Sequence, residues 1–286
     1  MIDYKLIDRA YTQRNQEAIE LQHHAAQYIS LAGKYLIRKE EDDSNTNMQY
    51  IPDKNMLLGN FLPNSIRIGL RLSDLNLCLV QTDYSCSKEI PVIGKTRVLV
   101  QEELKQALSS TGIDTSGFNN KLHYKMPSHK VLNGEKFALK YPEQLEDTSI
   151  MRSNAHFALE KVLELLGNIP DIRVWPHHFD SGTIIPLGKN STGSLTSSIG
   201  IGWAIPDSMA SEPYFYLSYW RKDGAIDLSE LESPEGSQWL VKEWNGAILR
   251  HSELIKFQKS DDQIKLIQNF YMSGIKVLQS QNKSQV

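Results

Sequence analysis

Over residues 13–37 the apolar positions Leu21, Ala25, Tyr28, Ala32 and Tyr35 recur at spacings of three and four, which places them on one face of a helix. The same spacing over 148–166 joins Phe157, Ala158, Val162 and Leu165. There Gly167 suits the left-handed turn that ends a helix, and Pro170 blocks continuation. A third helix is predicted over 261–279, with the stripe Ile264, Ile267, Tyr271, Ile275 and Leu278. Ser260 followed by Gln263 has the spacing of a capping box. Between the first two helices, SIRIGLRL and DLNLCLVQ are short apolar runs bounded by Asn, Ser and Asp, and they read as a hairpin of antiparallel strands. IRVWPHHF, GTIIPL, SSIGIGWAI, PYFYLSYW and QWLVKEW follow the second helix as further strands with no helix between them. That order predicts an α+β fold with antiparallel sheet and argues against a doubly wound parallel one. In 101–147 the pattern is weaker and marks only a short helix at EELKQAL and the segment KFALKY.

Shifting the chain by 133 residues lays SIRIGLRLSD (65–74) over SIGIGWAIPD (198–207), with five of ten positions identical. At the same offset His23 and Ala25 fall on His156 and Ala158, and Ile51 on Ile184. The expectation is two similar halves, 1–125 and 126–286, each a long helix packed on antiparallel strands. Asn45 and Asn47 of the first half then stand where the second carries His178 and Asp180, which makes the second half the better place for a site.

The segment WPHHFD (175–180) carries the densest candidate chemistry. Read as a strand, it puts Trp175, His177 and Phe179 on one side and Pro176, His178 and Asp180 on the other. Asp180 would then orient His178 as a general base, or both would join a metal site. Against this stands a plain structural reading, in which His178 bonds a backbone carbonyl and Asp180 caps the turn into SGT. Downstream, Tyr214 and Tyr216 share a strand face, and Asp207 is placed either in a turn or as their hydrogen-bond partner. Glu212, extended by Pro213 behind it, could aim a carboxylate into a cleft as an acid. Trp239 and Trp244 read as core or as pocket wall. Asp42 and Asp43 lack the spacing of a calcium loop, and GKNSTGS (188–194) lacks that of a phosphate loop and reads as a hairpin tip.

Composition narrows the classes. A net charge of -3 without a basic stretch argues against nucleic acid and anionic lipid as partners. No window approaches the roughly 18 apolar residues of a membrane span, and the first residues lack the apolar core of a secretory signal, so a cytoplasmic protein is expected. The two cysteines, Cys78 and Cys86, agree with that compartment. They have no CxxC spacing, and neither a metal nor a cofactor is expected. GxGxxG, GxxxxGK, GxSxG and HExxH are absent.

WPHHFD, the glycine-rich strand, IPDS and EPYFYLSYW together resemble a group of bacterial proteins of unknown function with W-P-x-H-F-D and E-P-Y-x-Y segments. DDSNTNMQY and EWNGAIL fit the same group. His178, Asp180, Asp207, Glu212 and Tyr214 are the matching positions, and the resemblance implies a shared architecture and site location but no reaction. Three functional readings follow. The leading one is a small-molecule-binding protein with a pocket walled by Trp175, Tyr214, Tyr216 and Trp244, lined by His177 and Asp207 and containing His178 and Asp180. The second is a hydrolytic or isomerising enzyme with a His178/Asp180 base and Glu212 or Tyr214 as acid. The third is an interaction protein without a site.

Overall fold

The structure is a computed structural model that describes residues 3–168, 171–224, 226–241 and 244–283. Its helices and antiparallel sheets make the chain α+β, as the strand order predicts. Among the described residues no helix is long and apolar enough to cross a membrane. Two compact units divide the chain: a first unit of Thr12–Ile150 with Arg173–Phe179, and a second of Met1–Tyr11, Met151–Ile172 and Asp180–Val286.

The first unit begins with α1 (Gln13–Leu36). Thr12 caps it, taking the Asn15 amide while the Asn15 side chain accepts from the Thr12 amide, so two of the orphan donors of the first turn are satisfied reciprocally. Leu21, Ala25, Tyr28 and Ala32 of the apolar stripe are buried as expected and Tyr35 is half-buried, but Gln22, His23, His24 and Gln27 are buried too, and the helix is enclosed on nearly all sides. A buried polar side chain must find a partner. Gln22 donates to the Leu72 carbonyl (3.1 Å), and Gln27 to the Pro176 carbonyl (3.0 Å).

A five-stranded antiparallel meander follows: β1 (Gln49–Ile51), β2 (Met56–Leu58), β3 (Arg67–Arg71), β4 (Asn76–Val80) and β5 (Cys86–Pro91). The β3–β4 hairpin is the one legible in the sequence; β1, β2 and β5 are too short or too polar to announce themselves. α2 (Arg97–Ser109) starts five residues before the EELKQAL segment. Thr96 caps it by accepting the Leu99 amide, whereas RVLVQ taken alone looks like strand.

α3 (Glu143–Leu165) begins in the first unit and runs into the second. Gly167, at a φ of 70°, takes the left-handed turn expected of it; Pro170 lies outside the described residues. β6 (Arg173–Trp175) belongs to the first unit, where Val174 exchanges backbone hydrogen bonds with Met48.

In the second unit β7 (Asp180–Lys189), β8 (Leu195–Ala204) and β9 (Tyr214–Arg221) form an antiparallel meander. β11 (Gly246–Arg250) pairs with β9, and the short β10 (Trp239–Leu240) pairs with β11. Of QWLVKEW only Trp239 and Leu240 are strand, and Lys242 and Glu243 lie outside the described residues. GKNSTGS is the β7–β8 hairpin tip, where the Asn190 side chain accepts from the amides of Thr192 and Ser194.

α4 (His251–Leu254) and α5 (Ser260–Lys283) complete the unit. Ile267, Tyr271, Ile275 and Leu278 are buried as the stripe predicts while Ile264 is half-buried, and Tyr271 meets Phe215 edge-on from α5. The expected Ser260–Gln263 capping box is corrected by the structure. Gln263 is turned inward, accepting from the Ile7 amide (3.0 Å) and donating to the Ile7, Leu254 and Phe257 carbonyls. A fully buried amide surrounded by loop carbonyls is satisfied better there than on the helix surface.

Candidate functional site

WPHHFD is not a continuous strand. After Trp175 the chain turns through residues 176–179, closed by the Phe179 amide donating to the Trp175 carbonyl at 2.7 Å. Phe179 takes a φ of 57°, a left-handed conformation that costs a non-glycine residue about 1–2 kcal/mol. Its fully buried ring offsets that cost, stacking on His23 with centroids 5.0 Å apart. The His23 Nε2 atom in turn lies 2.8 Å from the Pro176 carbonyl, which Gln27 also reaches. The shared strand face that would let Asp180 orient His178 is therefore absent. The turn leaves His177 and His178 exposed, with the chain passing at Asp180 into the second unit.

Six of the eight histidines lie in the first unit. His177 touches His178 (ring centroids 4.4 Å), Tyr124 (5.9 Å) and Trp175 (6.4 Å). His123 packs edge-on against Tyr124 and lies 3.5 Å from Asp43. Partial loss of water, with His178 and His123 nearby, lowers the His177 pKa, while Asp43 acts the other way. On the inner side His24 packs on His129 at 4.8 Å. Burial, then His23, His129 and Arg97, push His24 down to about 3, so it is a neutral ring at physiological pH. The sequence reading missed His24, His123, Tyr124 and His129, which are scattered over a hundred positions and share no spacing.

In the second unit the structure brings five of the expected site residues together. Tyr214 and Tyr216 lie on one face of β9, as strand alternation predicts. On that face the register aligns Tyr216 with Gly202, and Gly202 with Gly182 on the next strand. A Cβ at either glycine would meet the Tyr216 side chain, so the two glycines form the floor across which the tyrosine lies. Its hydroxyl reaches the Asp180 carboxylate at 2.7 Å. Alongside, the Tyr214 hydroxyl donates to Asp207 at 2.7 Å, while the other Asp207 oxygen accepts the Met209 amide, so Asp207 holds a turn and a phenol at once. Trp244 stands edge-on to Tyr216 at 6.4 Å.

Burial raises both tyrosine pKa values, with Asp180 and Asp207 adding to it, and both phenols stay protonated donors throughout the physiological range. The cluster continues through Met209, Ala210, Leu240 and Ile248. Leu240 and Ile248 also line a shallow cleft of about 490 Å³ with Ser237, Arg250 and Glu253.

Glu212 stands apart from these pairs. It accepts from the Ser252 amide (2.8 Å) and hydroxyl (2.7 Å), serving the open first turn of α4. Trp239 donates its indole N–H to the Glu232 carbonyl. In the first unit Asn45 donates to the Gly33 carbonyl at 3.0 Å, and Asp42 accepts the Ser44 amide, both bonds holding the loop after α1. No family model, curated protein or solved structure matches the chain.

Proposed function

We propose that the protein binds a small organic molecule on the tyrosine face of the second unit, and that the ligand offers an ammonium group or another hydrogen-bond donor to Asp180 and Asp207. The observation that carries this reading is the pair of phenol–carboxylate contacts on one face of β9, Tyr214 to Asp207 and Tyr216 to Asp180, the latter over Gly182 and Gly202 with Trp244 at its edge. An aromatic wall with a few convergent polar groups is the usual composition of a ligand site, and carboxylates favour cations. Trp175, His177 and His178 belong to the first unit and are not part of this reading.

The alternative of a hydrolytic or isomerising enzyme has less behind it, because residues 176–179 turn where a His178/Asp180 base needs a strand and Glu212 is spent on α4. The two-halves expectation, 1–125 and 126–286, stands as a proposal. In its support, the offset of 133 lays α1 over α3 and β3 over the end of β8.

The test is a thermal-shift screen with amines, amino acids, polyols and carboxylates on wild type, Asp180→Asn and Trp244→Ala. A shift produced by cationic members and lost in both variants supports the reading. A shift produced only by anions, or one that both variants keep, overturns it.

A further inference from the structure

In the first unit β5 is the last strand of its meander, and its pairing with β4 breaks register once. Cys78 faces Glu89 and Leu79 faces Lys88, but Val80 faces Cys86, which leaves Ser87 as an extra residue. A bulge of this kind re-aims the side chains beyond it. In an unbroken ladder Cys86 and Glu89, three residues apart, would project from opposite faces. With Ser87 inserted, Cys86 takes the face of Val80, which is also that of Cys78 and Glu89. Ser87 secures the bulge itself, donating its hydroxyl to the Leu79 carbonyl at 3.1 Å and accepting from the Gln81 side chain at 3.0 Å.

Two thiols and a carboxylate thus converge. The Sγ atoms of Cys78 and Cys86 and a carboxylate oxygen of Glu89 all lie within 4.8 Å of one another, the one such trio among the described residues. We propose that Cys78, Cys86 and Glu89 form a site for a thiophilic divalent cation of the zinc class, with water in the fourth position.

Ligand atoms around a tetrahedral zinc ion stand about 3.5–3.8 Å apart, given bonds of about 2.3 Å to sulfur and 2.0–2.2 Å to oxygen, so small side-chain adjustments close the site. Cys78 is buried beside Met56, Leu58 and Val80, while Cys86 and Glu89 are exposed, which gives the ion an apolar wall and an open entry. Arg71 donates to one Glu89 oxygen at 3.0 Å and is itself held by Asp74 at 2.7 Å, so the carboxylate is oriented from behind. Two thiolates and the Glu89 carboxylate exceed the charge of the divalent ion by one, and the guanidinium of Arg71, shared between Glu89 and Asp74, stands beside that excess. On binding, each thiol gives its proton to water as its sulfur–metal bond forms. Without the ion, burial and then the neighbouring Cys86 push the Cys78 thiol up to about 12, with Arg71 acting the other way.

The experiment titrates the fully reduced protein with Co²⁺ as an optical stand-in for zinc, beside Cys86→Ser and Glu89→Gln. Both substituted positions are exposed, and far-UV circular dichroism checks that each variant is folded. The expected result is one equivalent of Co²⁺ with a thiolate-to-metal charge-transfer band that Zn²⁺ displaces. Cys86→Ser should abolish the band, and Glu89→Gln should weaken binding at least about ten-fold. No band in the reduced wild type, or a band unchanged in Cys86→Ser, overturns the site. So does a reduced protein that takes up no metal and, on exposure to hydrogen peroxide, gives a Cys78–Cys86 cross-link by peptide mapping. In that outcome the pair is a redox couple instead.

Discussion

The ring of Phe179 stacks on that of His23, with centroids 5.0 Å apart and planes 10° from parallel, and this contact ties the WPHHFD turn to α1. Phe179 of the motif serves the core, while the adjacent His177 and His178 face solvent.

Removing that ring should therefore be costly. Phe179→Ala is expected to destabilise the protein by about 3–5 kcal/mol, the usual range for a fully buried phenylalanine, with little relief from the left-handed backbone because alanine is strained there too. Urea unfolding measures it, and a loss under about 1 kcal/mol would show that the turn does not depend on the stack. His178→Ala, at an exposed position, should change stability by less than about 0.5 kcal/mol.

Acid should weaken the fold through His24. Its folded pKa, about 3, lies below the ordinary imidazole value of 6.5, so between these values the unfolded chain binds the extra proton. The stabilisation is complete above pH 6.5 and is lost as pH falls toward 3, at about 1.4 kcal/mol per pH unit. His129, His177 and His251, all lowered mainly by burial, act in the same direction. His24→Gln should shrink the difference in unfolding free energy between pH 7 and pH 5 by roughly 2 kcal/mol. An unchanged difference would mean that His24 takes up its proton equally in the folded and the unfolded chain.

The tyrosine floor can be tested without a ligand. Gly202→Ala places a methyl group against the Tyr216 ring and the Ser181 carbonyl, and should cost about 1–3 kcal/mol. Tyr216→Phe keeps the ring but strips Asp180 of a charge-assisted hydrogen bond, at about 1–3 kcal/mol. If calorimetry finds both variants as stable as wild type, the packing of Tyr216 over the glycines is not what holds this face.

Glu212 separates a structural role from a catalytic one. Glu212→Gln keeps an acceptor for Ser252, whereas Glu212→Ala removes it and should cost about 0.5–2 kcal/mol, the range for losing a helix cap. Ligand-induced shifts, once a ligand is found, should be the same in Glu212→Gln as in wild type. A loss of ligand response in Glu212→Gln without a loss of stability would return this carboxylate to the site.

The parts of the fold that were legible are those where one local rule decides. The stripes of α1 and α5 follow from the helical repeat, and the β3–β4 hairpin from apolar runs with turn residues between them, whereas of the stripe expected on α3 only Ala158 and Val162 are buried, Phe157 is half-buried and Leu165 is exposed. Tyr214 and Tyr216 share a face because strand alternation requires it, and Asp207, a few residues ahead of them, is in reach as a hydrogen-bond partner. α2 was only half visible, since Val98 and Val100 favour strand until Thr96 is seen to cap a helix.

Sequence by itself determined the α+β class, the antiparallel order and the residue types gathered on the β9 face, because helix and strand periodicities are properties of neighbours along the chain. Tertiary structure alone decided that WPHHFD turns instead of running on, since Phe179 accepts a left-handed backbone only in exchange for burial against His23, 156 positions earlier. It alone decided that Gln263 abandons a cap to hold Ile7, and that one extra residue at Ser87 brings Cys86 to the face of Cys78 and Glu89. In each case the deciding energy comes from a group distant in sequence or from a break in register, and neither leaves a spacing to be read.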